Sequence, residues 1–166
     1  MDHAAFEESR ALFENGKLPV EMLQAMSLRP EILSAFAQTG EGLYPGGMLE
    51  RELKEKVILK SSQDNNCQFC SDSHRDMMRM IGIPQQQIDN LEDDGNLTPR
   101  EQLALQYTGA MMQDSNRVSD ELFSQIKESF SDAEIVELTF LVGFINMLNM
   151  FNNALRVTYR QEYDVG

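Results

Sequence analysis

The chain reads as an all-α protein, and three observations say so. Apolar residues recur at spacings of three and four through most of the sequence, the period of helices with one buried face. Glycine and proline gather at a few places that would punctuate such helices: Gly16 with Pro19, Pro30, Gly40 to Gly47 around Pro45, Gly82 with Pro84, Gly95 and Pro99. Two stretches, Thr98-Pro99-Arg100-Glu101 and Ser131-Asp132-Ala133-Glu134, are capping boxes, in which a hydroxyl and a carboxylate three residues apart satisfy each other's open N–H groups at a helix start.

The elements follow in order. Ala5, Leu12 and Phe13 mark a first amphipathic helix with Gly16 as its stop. Met22, Leu23 and Met26 mark a second. Pro30 suits the first turn of a third carrying Ile32, Leu33 and Phe36. A fourth runs from about Leu49 to Ser62. Asn65 and Asn66 interrupt it, and either can cap the next helix, which begins near Cys67 and ends before Gly82. Pro84 restarts a short helix, Thr98 opens one through about Met112, and Ser119 opens another. Ser131 then precedes a long apolar run ending near Val157. Strand signals are scarce: Val57-Ile58-Leu59 is too short and lies in a charged helical pattern, and Asp94-Gly95 sits between helical patterns, not between strands.

At 166 residues, 42% of them hydrophobic, the chain is long enough to bury a core. It is read as one all-helical domain, 1–166: N-terminal helices over 1–47, a helical hairpin over 48–82 and C-terminal helices over 84–160. The richest apolar segment, Ile135 to Leu155, is interrupted by Glu137, Asn146, Asn149, Asn152 and Asn153, which argues against a membrane span. The start, MDHAAFEESR, lacks the basic-then-apolar order of a signal peptide, so a cytoplasmic protein is expected. A formal charge of −13 argues against a nucleic-acid partner.

The chemistry gathers at one place. The two cysteines stand as a single C-x-x-C, a spacing that in a reducing compartment points to redox work or metal binding. On a helix starting near Cys67, residues three, four and seven apart share a face, so Cys67, Cys70 and His74 line up. Open N–H groups in the first turn and a neighbouring imidazole both favour a thiolate. Glu55 lies one helix earlier; in an antiparallel hairpin it reaches the His74 side and can orient the imidazole. Taken alone, Glu55 is a solvated helix charge among Glu52, Lys54 and Lys56, and His74 an ordinary histidine. The eleven methionines read as core or subunit interface. The four asparagines of the last helix read as hydrogen bonds between helices or across an interface, or as a polar face.

Glu55, eleven intervening residues, then Cys67-x-x-Cys70-x-x-x-His74 resembles the active-site signature of the alkyl hydroperoxidase D-like proteins in the carboxymuconolactone decarboxylase superfamily. Arg51-Glu52-Leu53-x-Glu55-x-Val57-Ile58-Leu59, Gly82, the stretch Phe130 to Leu138 and Asn152-Asn153-Ala154-Leu155 are similar to the peroxidase-related subgroup, so the likeness covers roughly residues 18 to 160. The resemblance implies that family's helical bundle, assembled as a homotrimer or homohexamer. It implies a cysteine pair cycling between dithiol and disulfide to reduce an organic hydroperoxide or a partner thiol protein, with Cys70 as nucleophile, Cys67 resolving, and His74 and Glu55 relaying protons. No metal or organic cofactor is implied, and a lipoamide- or thioredoxin-like dithiol would be the reductant. One position departs: Phe69 stands where the best-characterised members carry histidine. A phenyl ring cannot shuttle a proton, which weighs against efficient peroxide turnover and suggests shielding or contact with an apolar substrate. Three alternatives stay open: a non-catalytic redox sensor or interaction module, a metal site with Glu55, Asp72 or His3 completing the cysteines and His74, and a decarboxylase-like reaction.

Overall fold

The computed structural model describes residues 21–44, 46–92, 95 and 97–159; the helix expected over Ala5 to Phe13, its stop at Gly16, and His3 lie outside them. Eight α-helices and no strand occur among the described residues. These residues divide into two compact units, one of 21–47 with 156–159 and one of 48–155.

In the first unit, α1 (Glu21–Ser27) packs on α2 (Pro30–Leu43). Pro30 occupies the first turn of α2, where its missing N–H is not needed. Met26, Leu33 and Leu43 are buried. The sequence marks a break from Gly40 onward, yet α2 runs through Gly40 and Gly42 to Leu43. Two helical glycines cost about 2 kcal/mol relative to alanine, which burial of a leucine, about 1.5–3 kcal/mol, can offset.

The second unit is built around α3 (Arg51–Asp64), against which α4 (Gln68–Met80), α6 (Pro99–Asp114) and α8 (Asp132–Leu155) all pack. α5 (Gln85–Asp89) adjoins α4, and α7 (Asp120–Ser129) sits against α6 and α8. Every residue from Leu53 to Leu59 is buried, Lys54, Glu55 and Lys56 included. The solvated charge that Glu55 suggests when taken alone is therefore not what the fold makes of it. Three helices surround α3, so no face is left for water, and each charge is instead paired. Lys54 Nζ lies 2.6 Å from Glu137 of α8, whose carboxylate also accepts the Met48 and Leu49 N–H groups. Lys56 Nζ lies 2.6 Å from Glu101 of α6 and 2.9 Å from Glu52.

The expected caps form. Thr98 and Glu101 complete both halves of the box that opens α6, Ser131 and Glu134 do the same for α8, and Ser119 accepts from Leu122 N–H to open α7. Arg100 donates to Glu134 and to the Ser129 carbonyl and lies 3.9 Å over the Phe130 ring, tying α6 to the start of α8. α8 is 24 residues long with an 18-residue window of mean hydropathy 1.4, enough by length and composition to cross a membrane. Its Leu138, Leu141, Val142, Ile145 and Leu148 are buried in the core of the unit, while Val136, Phe140, Met147 and Met150 are exposed.

Candidate functional site

The site begins with how α3 ends. Asn66 has φ of 51°, a left-handed conformation that asparagine tolerates better than most residues. With that turn, Asn66 N–H donates to Gln63 O at 3.0 Å and Cys67 N–H to Ser62 O at 2.8 Å, the paired bonds of a Schellman stop. Asn66 therefore terminates α3 and does not cap α4, as the sequence reading had allowed. The cap is Cys67 itself, whose Sγ accepts the Cys70 N–H at 3.3 Å. α4 ends by the same device: Gly82 has φ of 87°, and the Gly82 and Ile83 N–H groups reach Arg79 O and Met78 O.

Cys67 and Cys70 are joined as a disulfide across the first turn of α4, with Cα atoms 5.4 Å apart. Cys67 is 0% exposed and Cys70 5%. One turn on, His74 Nδ1 lies 2.7 Å from Glu55 Oε2, and the other oxygen of Glu55 accepts from Arg51 Nε at 2.9 Å. Glu55 is wholly buried while His74 keeps 20% of its side chain exposed. A carboxylate held by Arg51 accepts the Nδ1–H of His74, leaving Nε2 as the atom that can exchange a proton. All four residues singled out from the sequence thus stand on the α3–α4 hairpin, with Glu55 brought to His74 across 19 positions.

The asparagines of α8 form the opposite wall. Asn149 donates to Ser61 O and accepts from Ser62 Oγ, each at 3.2 Å. Asn146 accepts from Asn65 Nδ2 at 2.7 Å, and Asn153 donates to Asn65 O at 3.0 Å. Asn65 is the residue at which α3 stops, so its carbonyl has no helical partner and the side chain of α8 supplies one. Between them, Asn152 Nδ2 reaches Cys70 Sγ at 3.3 Å.

Two of these residues were not assigned to the site from the sequence. Arg51 was visible only as a neighbour, though its i,i+4 relation to Glu55 is the signal that finds it. Asn152 was grouped with the other asparagines, and nothing in its spacing marks it as the one beside sulfur.

The charges flanking the site on α3 are fixed. Burial pushes the Glu137 carboxyl up, but the hydrogen bonds from Lys54, Met48 and Leu49 outweigh it and the net is below the ordinary range. Burial likewise pushes Lys56 down, and its bonds to Glu101 and Glu52 more than reverse that. Asp72 turns to Gln68 and Arg75. Among the described residues no group of three or more His, Cys, Asp or Glu side chains is placed to hold a metal ion. A cavity of about 310 Å³ opens beside Lys60, Leu105 and Gly109, and none of the four site residues lines it. Phe69 is 7% exposed, its ring packed away from solvent.

Residues 30–110 match the carboxymuconolactone decarboxylase family. The uncharacterized protein YdfG of Bacillus subtilis is 29% identical over 111 residues, 64% of this chain and 76% of that one. A solved protein of unknown function from Agrobacterium tumefaciens, described as a candidate antioxidant defence protein AhpD, is 26% identical and superposes with a TM-score of 0.77 over 83% of this chain and 97% of that one. An uncharacterized peroxidase-related protein from Silicibacter sp. TM1040 superposes with a TM-score of 0.80 at 23% identity, over 96% of this chain and 88% of that one. The chain carries a C-x-x-C pair, matches the carboxymuconolactone decarboxylase family over residues 30–110, and shares the fold of AhpD-like, peroxidase-related proteins.

Proposed function

From that likeness we propose that the chain is a thiol-dependent peroxidase or disulfide oxidoreductase, with Cys70 as nucleophile, Cys67 as resolving thiol, and His74 and Glu55 as proton relay. The observation that carries the reading is the Glu55–His74 contact of 2.7 Å one helical turn from a closed Cys67–Cys70 pair. It joins a reversible two-electron centre to a base oriented by a third group.

In the reaction, the Cys70 thiolate attacks a peroxide oxygen; the S–O bond forms, the O–O bond breaks, and the alkoxide takes a proton from His74 to leave as alcohol. Cys67 then attacks the Cys70 sulfenic acid, forming the disulfide and releasing water with the thiol proton. Two electrons pass from the thiol pair to the peroxide, and an external dithiol of lipoamide or thioredoxin-like type returns them by exchange. The small exposure of Cys70, against none for Cys67, favours it as the atom a peroxide meets first.

The reading includes a cytoplasmic location and self-association as a trimer or hexamer. Support for self-association comes from the outer row of α8, where Val136, Phe140, Met147 and Met150 are exposed at spacings of four, seven and three. The chemical step is tested by adding one equivalent of an organic hydroperoxide to the reduced protein and following both thiols by alkylation and mass spectrometry. Cys67 and Cys70 should disappear together into the disulfide, and Cys70→Ser should bring hydroperoxide consumption to background. Undiminished consumption by Cys70→Ser would remove the mechanism.

A further inference from the structure

We infer that Asn152 is a catalytic residue of the thiol centre: its side-chain amide donates to Cys70 Sγ and makes that sulfur, not Cys67's, the thiolate of the reduced pair. The inference rests on the thiol-redox reading of Cys67 and Cys70, and on geometry that reading does not use.

The amide nitrogen lies 3.3 Å from Sγ, and Asn152 is 2% exposed. Its donor is held by its neighbours. Asn149, one turn back, is fixed to Ser61 and Ser62, and Asn153, the next residue, to the carbonyl of Asn65. These bonds fasten α8 to the end of α3, so the amide is aimed at the sulfur before any charge develops there. Such a donor, shielded from water, stabilises the charge without reorganising. An amide also carries its protons at every working pH. It therefore sets the thiol equilibrium instead of shuttling protons, a role that does not duplicate His74.

The two sulfurs compete. Cys67 Sγ caps α4 and accepts the Cys70 N–H, so the helix terminus favours a thiolate there. Against that stand His74, four residues beyond Cys70, and the Asn152 amide. A hydrogen bond to a charged group is worth enough to shift an ionisation equilibrium about tenfold or more. Removing it should hand the advantage to Cys67.

The test needs no peroxide. Reduced protein is pulse-alkylated across a pH series and the two cysteines are quantified separately by mass spectrometry. In the wild-type chain Cys70 should be labelled first. In Asn152→Leu, which keeps the volume and removes the donor without adding a charge, the Cys70 to Cys67 labelling ratio should fall about tenfold or more. The midpoint for Cys70 should rise by about one pH unit. An unchanged ratio and midpoint in a folded Asn152→Leu protein overturn the inference. A second measurement uses the wild-type chain alone: the side-chain amide resonance of Asn152 should move with the same midpoint as thiolate absorbance. An amide resonance flat through that range overturns the inference even where no variant folds. A chain that shows both effects and consumes no hydroperoxide keeps the inference while losing the peroxidase reading.

Discussion

Three consecutive residues of α3 are buried charges of nearly equal exposure, and they do two different things. Lys54 and Lys56 point to carboxylates on α8 and α6, Glu137 and Glu101, and fasten those helices to the centre of the second unit. Glu55, between them, points to His74 on α4. Burial alone does not separate the three, since all are at most 2% exposed. Their partners do. The lysines face carboxylates, groups that ordinarily titrate well below neutrality. Glu55 faces an imidazole, the one side chain whose ordinary titration lies near neutrality, and that imidazole reaches solvent. A buried charge becomes part of a site when its partner can change state and touch what reacts.

The largest expected effect breaks that comparison at its middle member. Glu55→Gln keeps the size of the side chain and removes the charge that orients His74. General acid–base assistance contributes roughly 10²–10⁴-fold, so hydroperoxide-driven closure of the Cys67–Cys70 pair should slow by about a hundredfold or more. Thermal stability should move little, because Arg51, the other partner of Glu55, is 32% exposed and can turn to water. Closure within threefold of wild type would place Glu55 with the lysines as a structural charge.

Lys54→Met reverses the pattern. It leaves Glu137, 11% exposed, without its ammonium, although the Met48 and Leu49 N–H groups remain. Breaking a buried pair at one end costs about 3 kcal/mol, to be read from the denaturant midpoint at constant slope. The rate of disulfide closure should stay within a few-fold of wild type. Wild-type stability in this variant would mean that burial of the pair contributes nothing net.

The same contrast governs what the sequence could show. Helix content followed from local signals: both capping boxes, Pro30 at a first turn and Gly82 at a stop all act within one or two turns, and each formed. The site was legible for a related reason, since Cys67, Cys70 and His74 lie on one helix and Glu55 on its hairpin partner. Burial of Lys54 and Lys56 was not legible. It depends on α6 and α8, which arrive from 45 and more residues away and turn a charged helix into the centre of a core. Nor was the role of Asn66, because either a cap or a left-handed stop suits asparagine at that place. Asn152 beside Cys70 was the least legible contact, 82 positions apart and set by the register of α8.

The smallest effect sharpens the comparison at its other end, through pH. Burial pushes Lys56 down, but its bonds to Glu101 and Glu52 carry it above its ordinary value. Its contribution to stability is therefore complete below about pH 10.4 and fades as pH rises through the folded value above that. Burial pushes Glu101 up, and Lys56 with Thr98 brings it below its ordinary value. Its contribution is complete above about pH 4.3 and fades as pH falls through the lower folded value. Denaturant midpoints from about pH 3 to about pH 11 should thus show a plateau between two losses. Lys56→Met should remove this part of the alkaline loss. It should also shrink the acid loss, because without its cation Glu101 is held less far below its ordinary value. Neither edge lies where an imidazole ordinarily titrates, so the rate of thiol closure should keep its wild-type pH profile through the plateau. A shifted closure profile in Lys56→Met would mean that the structural pairs and the Glu55–His74 pair are one coupled network along α3.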